Sequence, residues 1–234
     1  MAEALEFGMS SYKLSASLIC ADLLNLERDI KSLEKAGVDY LHFDVMDGIF
    51  VPRFGLLPEL LYRISRTTYL PVDVHMMVVN PEPYIADFAR AGAKIFYVHV
   101  ENNPHLHRTL KTIKAAGMQP GVVLNMSSPL EYLDYIVEEL DYVMLMGINP
   151  GIIGHKIIPK IFDKIIALKK KLDGASIQIM IDGGVTPDTS ADLIKAGADI
   201  LVCGSSSIFR PNEGNLEETT EQYRAYVDSK LSNS

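Results

Sequence analysis

Short, nearly unbroken apolar runs alternate along this chain with longer stretches in which apolar residues recur every three or four positions. The short runs predict strands over Lys13–Ile19, Tyr40–Val45, Val72–Met77, Lys94–Val100, Gln119–Asn125, Tyr142–Ile148, Ser176–Ile181 and Ile200–Cys203. The longer stretches predict helices over Leu23–Ala36, Pro58–Ser65, Pro81–Ala91, Pro104–Ala116, Pro129–Glu139, Ile158–Leu172, Pro187–Ala196 and Leu216–Leu231. Three helices share an ending, Lys35-Ala36-Gly37, Arg90-Ala91-Gly92 and Lys195-Ala196-Gly197, in which a cation and then glycine stop the helix. Pro81, Pro129 and Pro187 suit a first helical turn, with Asn80 and Ser128 as expected N-caps for the first two.

Continuous apolar strands belong to a parallel sheet covered on both faces. Eight β–α units of roughly 30 residues fit an α/β fold of the (β/α)8 TIM-barrel type, a single domain over residues 13–234 after an N-terminal extension of residues 1–12. A doubly wound open sheet would instead carry a glycine-rich dinucleotide loop after its first strand. Leu18-Ile19-Cys20-Ala21-Asp22 is not one.

Composition narrows the class. The 234 residues are 48% hydrophobic and 22% charged, as in a globular protein whose core needs no staples. The net charge of −8 argues against a nucleic-acid or anionic-membrane partner. No apolar run reaches the roughly 18 residues of a membrane span, and the first dozen residues lack the form of a signal peptide. Two cysteines, Cys20 and Cys203, both in apolar runs, point to a reducing, cytoplasmic setting rather than a disulfide framework.

The chemistry concentrates at strand ends. In the second strand, alternation puts His42, Asp44 and Met46 on one face, and Phe43 and Val45 on the face a helix would cover. Two readings of that stretch stand side by side: part of a metal or acid/base site, or a buried His–Asp hydrogen bond. Barrel enzymes place catalytic groups at the C-terminal strand ends. Applied along the chain, that rule collects Ser17 and Cys20, His42 and Asp44, Asp73, His75 and Met77, His99 and Glu101, Asn125, Met146 and Asp182. Two histidines and two aspartates from three strands make a full tetrahedral ligand set. Gly183-Gly184 and Gly204-Ser205-Ser206 follow the last two strands, where barrels build phosphate sites, with a short extra helix presenting its N–H groups.

These residues carry a family resemblance. Ser17-Leu18-Ile19, His42-Phe43-Asp44-Val45-Met46-Asp47-Gly48, Phe50-Val51-Pro52, Asp73-Val74-His75-Met76-Met77, His105-Leu106-His107-Arg108-Thr109, Asn149-Pro150-Gly151, Asp182-Gly183-Gly184-Val185 and Gly204-Ser205 stand in one order. Over about Leu14 to Phe209 the chain resembles ribulose-phosphate 3-epimerases. The resemblance implies a barrel that interconverts D-ribulose 5-phosphate and D-xylulose 5-phosphate through a cis-enediolate, with one divalent metal ion (zinc, iron or manganese). It implies His42, Asp44, His75 and Asp182 as metal ligands, with Asp44 and Asp182 also the acid/base pair. Ser17 and His75 would contact the substrate, and Met46, Met77 and Met146 would line the reaction centre. Gly151, Gly154, Gly183, Gly184, Gly204 and Ser205 would hold the phosphate, and the protein would be a homo-oligomer.

The likeness breaks at four places. Ala16 stands for the family's proline, Cys20 for its serine or asparagine, and Arg53-Phe54-Gly55 for its Asn-x-Thr. Gly151-Ile152-Ile153-Gly154-His155 stands for a Gly-Phe-Gly-Gly-Gln loop, and the β-branched Ile153 restricts that backbone. These departures point to changed sugar or phosphate fit with the chemistry kept. Allulose-6-phosphate 3-epimerase, which resembles this chain and also carries cysteine in the first loop, makes a hexulose phosphate the alternative substrate. A barrel that binds a sugar phosphate without turning it over is a further alternative. A phosphate-barrel lyase would want a lysine at a strand end, and none is read there.

Overall fold

The computed structural model describes residues 12–152, 154–210, 212 and 214–232. The expected extension therefore lies outside the described residues apart from Tyr12, which is buried and donates its hydroxyl to Asp228 at 3.0 Å. Ile153 lies outside them too.

Eight parallel strands close on themselves in sequence order: β1 (Lys13–Ser17), β2 (Tyr40–Met46), β3 (Val72–Met77), β4 (Ile95–His99), β5 (Gln119–Leu124), β6 (Tyr142–Met146), β7 (Gln178–Asp182) and β8 (Ile200–Cys203). The helices are α1 (Leu26–Lys35), α2 (Pro58–Ile64), α3 (Ile85–Ala91), α4 (Leu106–Ala115), α5 (Ile161–Lys171), α6 (Pro187–Ala196) and α7 (Leu216–Ser232). The fold is a (β/α)8 TIM barrel, as the alternation of runs predicts.

Alternation decides where the side chains go. Phe43 points outward and meets Phe88 of α3, ring centres 6.4 Å apart, in the large apolar layer between sheet and helices. A separate cluster fills the barrel's interior, built on Ile95, Tyr97, Tyr142, Met144, Met180 and Ile200. Gly121 makes room for it, because a Cβ there would lie 2.3 Å from the Tyr97 ring. Above this floor the inward positions turn polar: Ser15 and Ser17, His42 and Asp44, Asp73 and His75, and His99 are all buried.

Several expected elements differ. The first strand stops at Ser17, and Leu18–Cys20 is a turn of 3-10 helix, so Cys20 does not sit in a strand. The helix expected over Pro129–Glu139 is instead two short 3-10 segments, Leu130–Leu133 and Val137–Glu139. Leu130, Leu133 and Ile136 are spaced by three, which serves the tighter helix as well as the α-helix. Neither expected N-cap works as one. Asn80 takes a left-handed backbone (φ 59°), and the Ser128 hydroxyl donates to Glu101. The stretch after Pro81 opens with a 3-10 turn, Glu82–Tyr84, before α3. The three glycine stops do occur, with Gly37, Gly92 and Gly197 all at positive φ. α6 is fixed at its start as well, by a reciprocal pair. The Thr186 hydroxyl accepts from the Thr189 amide while the Thr189 hydroxyl accepts from the Thr186 amide, with Pro187 in the first turn.

Candidate active site

The parallel register brings the polar residues together. His42 lies beside Asp73, Asp44 beside His75, and Met46 beside Met77 across the β2–β3 pair, while Met146 lies beside Asp182 across β6–β7. One ligand-type atom from each of His42, Asp44, His75 and Asp182 lies within 4.8 Å of all the others. His42 Nε2 is 3.2 Å from Asp44 Oδ1, and His75 Nδ1 is 3.4 Å from both Asp44 Oδ1 and Asp182 Oδ2. The two ring nitrogens aimed into this cluster, His42 Nε2 and His75 Nδ1, are buried with no hydrogen-bond partner.

The far nitrogen of each ring explains this. His42 Nδ1 meets Asp73 Oδ1 at 2.5 Å, and Asp73 Oδ2 accepts from Ser15 at 2.5 Å. A proton on Nδ1 leaves the Nε2 lone pair facing the cluster. His75 Nε2 lies 2.9 Å from His99 Nε2, and His99 Nδ1 lies 3.1 Å from Glu101 Oε2. The carboxylate accepts from His99 Nδ1, His99 Nε2 accepts from His75 Nε2, and His75 Nδ1 is left as a lone pair. Glu101 is itself fixed by the Asn125 amide at 2.8 Å and by Ser128. Two inward lone pairs and two carboxylates, each ring backed by an acid, suit a divalent cation such as zinc.

Without a cation, the same carboxylates favour a second proton on each ring, at the nitrogen whose lone pair would otherwise face the ion. Burial alone would lower the His42 pKa, but Asp73 and Asp44 outweigh it and hold the ring well above its usual value. His75 is raised the same way: burial opposes, while Asp182 and Asp44 win. Asp44 is pushed up by burial but drawn far below the carboxylate range by His42 and His75. With no cation bound, protons on the imidazoles offset the crowded carboxylates, and a divalent cation would take over that duty. His99 is different, since burial pulls it down to about 4 and leaves it neutral at ordinary pH. Glu101, raised by burial but lowered more by His99, Ser128 and the Asn125 amide, falls to about 2.

Above the cluster opens a cavity. Ser17, Asp44, Met46, Met77, Met146 and Asp182 line its lower part, and Gly151, Gly154, Gly183, Gly184, Gly204 and Ser205 line its upper part. His42 and His75 lie beneath, wholly buried. The expected residues thus come together at one end of the barrel, except that His75, expected to touch the substrate, lies below the cavity lining among the ligand-type side chains. Ser17 Oγ donates to Asp44 Oδ2 at 3.0 Å. Gly183 and Gly184 have φ of 92° and 72°, and a Cβ on Gly184 would lie 2.8 Å from the Ile157 backbone. The short helix expected after β8 is instead a tight turn, in which Ser207, Ile208 and Phe209 all donate to the Gly204 carbonyl. Sequence alone puts Asp73, His99 and Glu101 on the rim and gives them no role. Asp73 lies two residues before His75 on β3, His99 ends β4 and Glu101 follows it, but what each of them touches is set by the pairing of neighbouring strands. Arg53 and Cys20 also line the cavity.

Comparison with known proteins gives this architecture relatives. The sequence profile of the Ribulose-phosphate 3 epimerase family matches residues 13–209. The ribulose-phosphate 3-epimerase of Synechocystis sp. is 42% identical over 203 residues, covering 85% of this chain and 88% of that one. The Bacillus subtilis ribulose-phosphate 3-epimerase is 43% identical over 197 residues, covering 83% and 91%. Among solved structures, a KGPDC from Streptococcus mutans superposes with a TM-score of 0.72 at 13% identity, covering 93% of this chain and 98% of that one. Phosphoribosyl anthranilate isomerase from Thermus thermophilus gives 0.66 at 16% identity, covering 93% and 99%, so both speak for the fold alone. With its profile matched from the first strand past the last, and relatives about 40% identical over most of its length, the chain belongs to the ribulose-phosphate 3-epimerase family.

Proposed function

We propose that the protein inverts C3 of a ketose phosphate, interconverting D-ribulose 5-phosphate and D-xylulose 5-phosphate. The observation that carries this reading is the convergence of Asp44 and Asp182 with two inward-facing imidazoles at the base of one cavity. Inversion needs a proton removed from one face of a carbon and another returned to the opposite face. Asp44 and Asp182 stand on β2 and β7, on different sides of the barrel, and serve as the two proton carriers. The Ser17 hydroxyl donates to Asp44 and the imidazoles keep that carboxylate in the ionised form a proton acceptor needs.

His42 Nε2, His75 Nδ1, Asp44 and Asp182 would hold one divalent ion, zinc, iron or manganese. Such an ion supplies Lewis-acid stabilisation of charge developing on oxygen. The chain's own residues do the rest. The sulfurs of Met46, Met77 and Met146 pack against the planar enediolate and exclude water without offering a competing base. The backbone of Gly151, Gly154, Gly183, Gly184, Gly204 and Ser205 comes close enough to an anion to hold the phosphate. The family resemblance also supports a homo-oligomer, and the two free cysteines are in keeping with a reducing, cytoplasmic setting.

The test is exchange of the C3 proton, followed by NMR in deuterated water with metal-loaded protein. Exchange and interconversion of the two pentulose phosphates are expected, with Asp182→Asn lowering turnover by about a hundredfold or more. No exchange at C3 with any ketose phosphate would end the proposal. Cys20 beside the cavity favours one second reading, a hexulose 6-phosphate substrate. Allulose 6-phosphate run next to ribulose 5-phosphate decides between them by the ratio of kcat/KM.

A further inference from the structure

Among the described residues lining the cavity, Arg53 is the one with a permanent positive charge. Arg28, Arg90 and Arg108 are each engaged by carboxylates elsewhere on the surface. The half-buried Arg53 side chain has no hydrogen bond, ion pair or aromatic partner among the described residues. It shares the cavity with Asp44 and Asp182 yet pairs with neither, because those carboxylates already face His42, His75 and Ser17. The guanidinium keeps contact with water and has no protein partner, so an anion entering the cavity can pair with it without breaking an existing ion pair.

Its backbone is held firmly. Arg53 sits in the turn after β2, where Gly48 donates to its carbonyl at 3.0 Å and its own amide donates to Val51 at 2.8 Å. Asp47 ties this turn down, accepting from the Ile49 and Phe50 amides at 2.8 Å and from Val79 at 2.7 Å. The same turn abuts the loop after β6, for a Cβ on Gly151 would lie 2.6 Å from the Val51 Cβ. Arg53 thus reaches the cavity from a rigid support next to the first glycine of the phosphate-loop set. The described residues that those loops place in the cavity lining offer backbone dipoles but no permanent positive charge, whereas the ligand they suit carries nearly two negative charges.

We propose that Arg53 is a substrate-binding residue that pairs with the phosphate group, completing a site otherwise made of backbone amides. The inference rests on the ketose-phosphate reading and adds to it a side chain that sets affinity for the phosphorylated end. A planar guanidinium matches phosphate geometry with two donors, which lysine cannot reproduce.

The experiment compares wild type, Arg53→Gln and Arg53→Lys in two ways. Inorganic phosphate is titrated into each protein and followed by amide NMR shifts of the glycine loops, and the steady-state constants for D-ribulose 5-phosphate are measured in parallel. Arg53→Gln is expected to weaken phosphate binding and raise KM by about tenfold to a hundredfold, with kcat falling much less. Arg53→Lys should recover part of both, and the gap from wild type should narrow as ionic strength rises. Phosphate binding and KM within about twofold of wild type in Arg53→Gln would overturn the proposal, as would a loss confined to kcat. Absence of turnover in wild type, with phosphate still held through Arg53, would defeat the epimerase reading and leave this one standing.

Discussion

Glu101 shows how far a single carboxylate reaches. It touches neither the cavity's lower residues nor the ligand-type atoms, yet through His99 it selects the nitrogen of His75 that carries the proton. Replacing it by glutamine allows the reverse polarity, with the amide donating to His99 Nδ1 and the His75 lone pair turned away from the centre. Glu101→Gln is therefore expected to weaken divalent-metal binding by about tenfold to a hundredfold at neutral pH. A competition titration with a coloured chelator measures it, and an unaltered far-ultraviolet spectrum would show that the barrel stands. Metal affinity equal to wild type would mean the two-ring chain does not set the tautomer. The four cluster residues are legible from their types and strand positions. Asp73, His99 and Glu101 are not, because their partners lie on neighbouring strands. Only the register that sets Asp73 beside His42 and strand β4 beside β3 discloses them.

Among elements, those with the most continuous apolar runs are read best. β3 and β8 fall where expected because both of their faces are covered and every position is buried. Helix ends and single turns are read less well, since hydrogen bonds to distant groups decide them: Ser128 is drawn to Glu101 rather than to its own helix start. α6 is the counterexample, and its start matters to function because it comes just after Gly183 and Gly184. Thr186→Ala removes the side-chain acceptor for the Thr189 amide and should cost about 1 kcal/mol in stability, read from the denaturant midpoint. If the midpoint does not move, the loop after β7 is anchored by something other than this cap.

For the whole molecule the buried charges set a pH window. The raised His42 and His75 contribute stability that is complete below their ordinary value of 6.5 and is lost as pH climbs through their folded values. His99 acts oppositely. Its depressed value of about 4 means its contribution is complete above 6.5 and disappears as pH falls toward 4. Glu101 follows between 4.5 and about 2. Metal-free protein should thus be most stable between pH 6.5 and the raised values of His42 and His75, and lose roughly 3 kcal/mol from His99 alone by about pH 4. Urea unfolding across that range gives the answer, and a flat profile would mean His99 is not held neutral. Loaded with metal, the protein should resist unfolding further near neutrality and lose the ion in acid, when protons compete for the same nitrogens.

The aromatic and methionine floor beneath the cluster has one more implication. Tyr97, Tyr142, Met144 and Met180 fill the barrel interior beneath the cluster, so substrate and product are both expected to pass through the mouth formed by the loops after the strands. An occupant corks its own pocket, and the next molecule must queue until it departs. Turnover should therefore be throttled by accumulated product, which waits in the same vestibule as the incoming sugar.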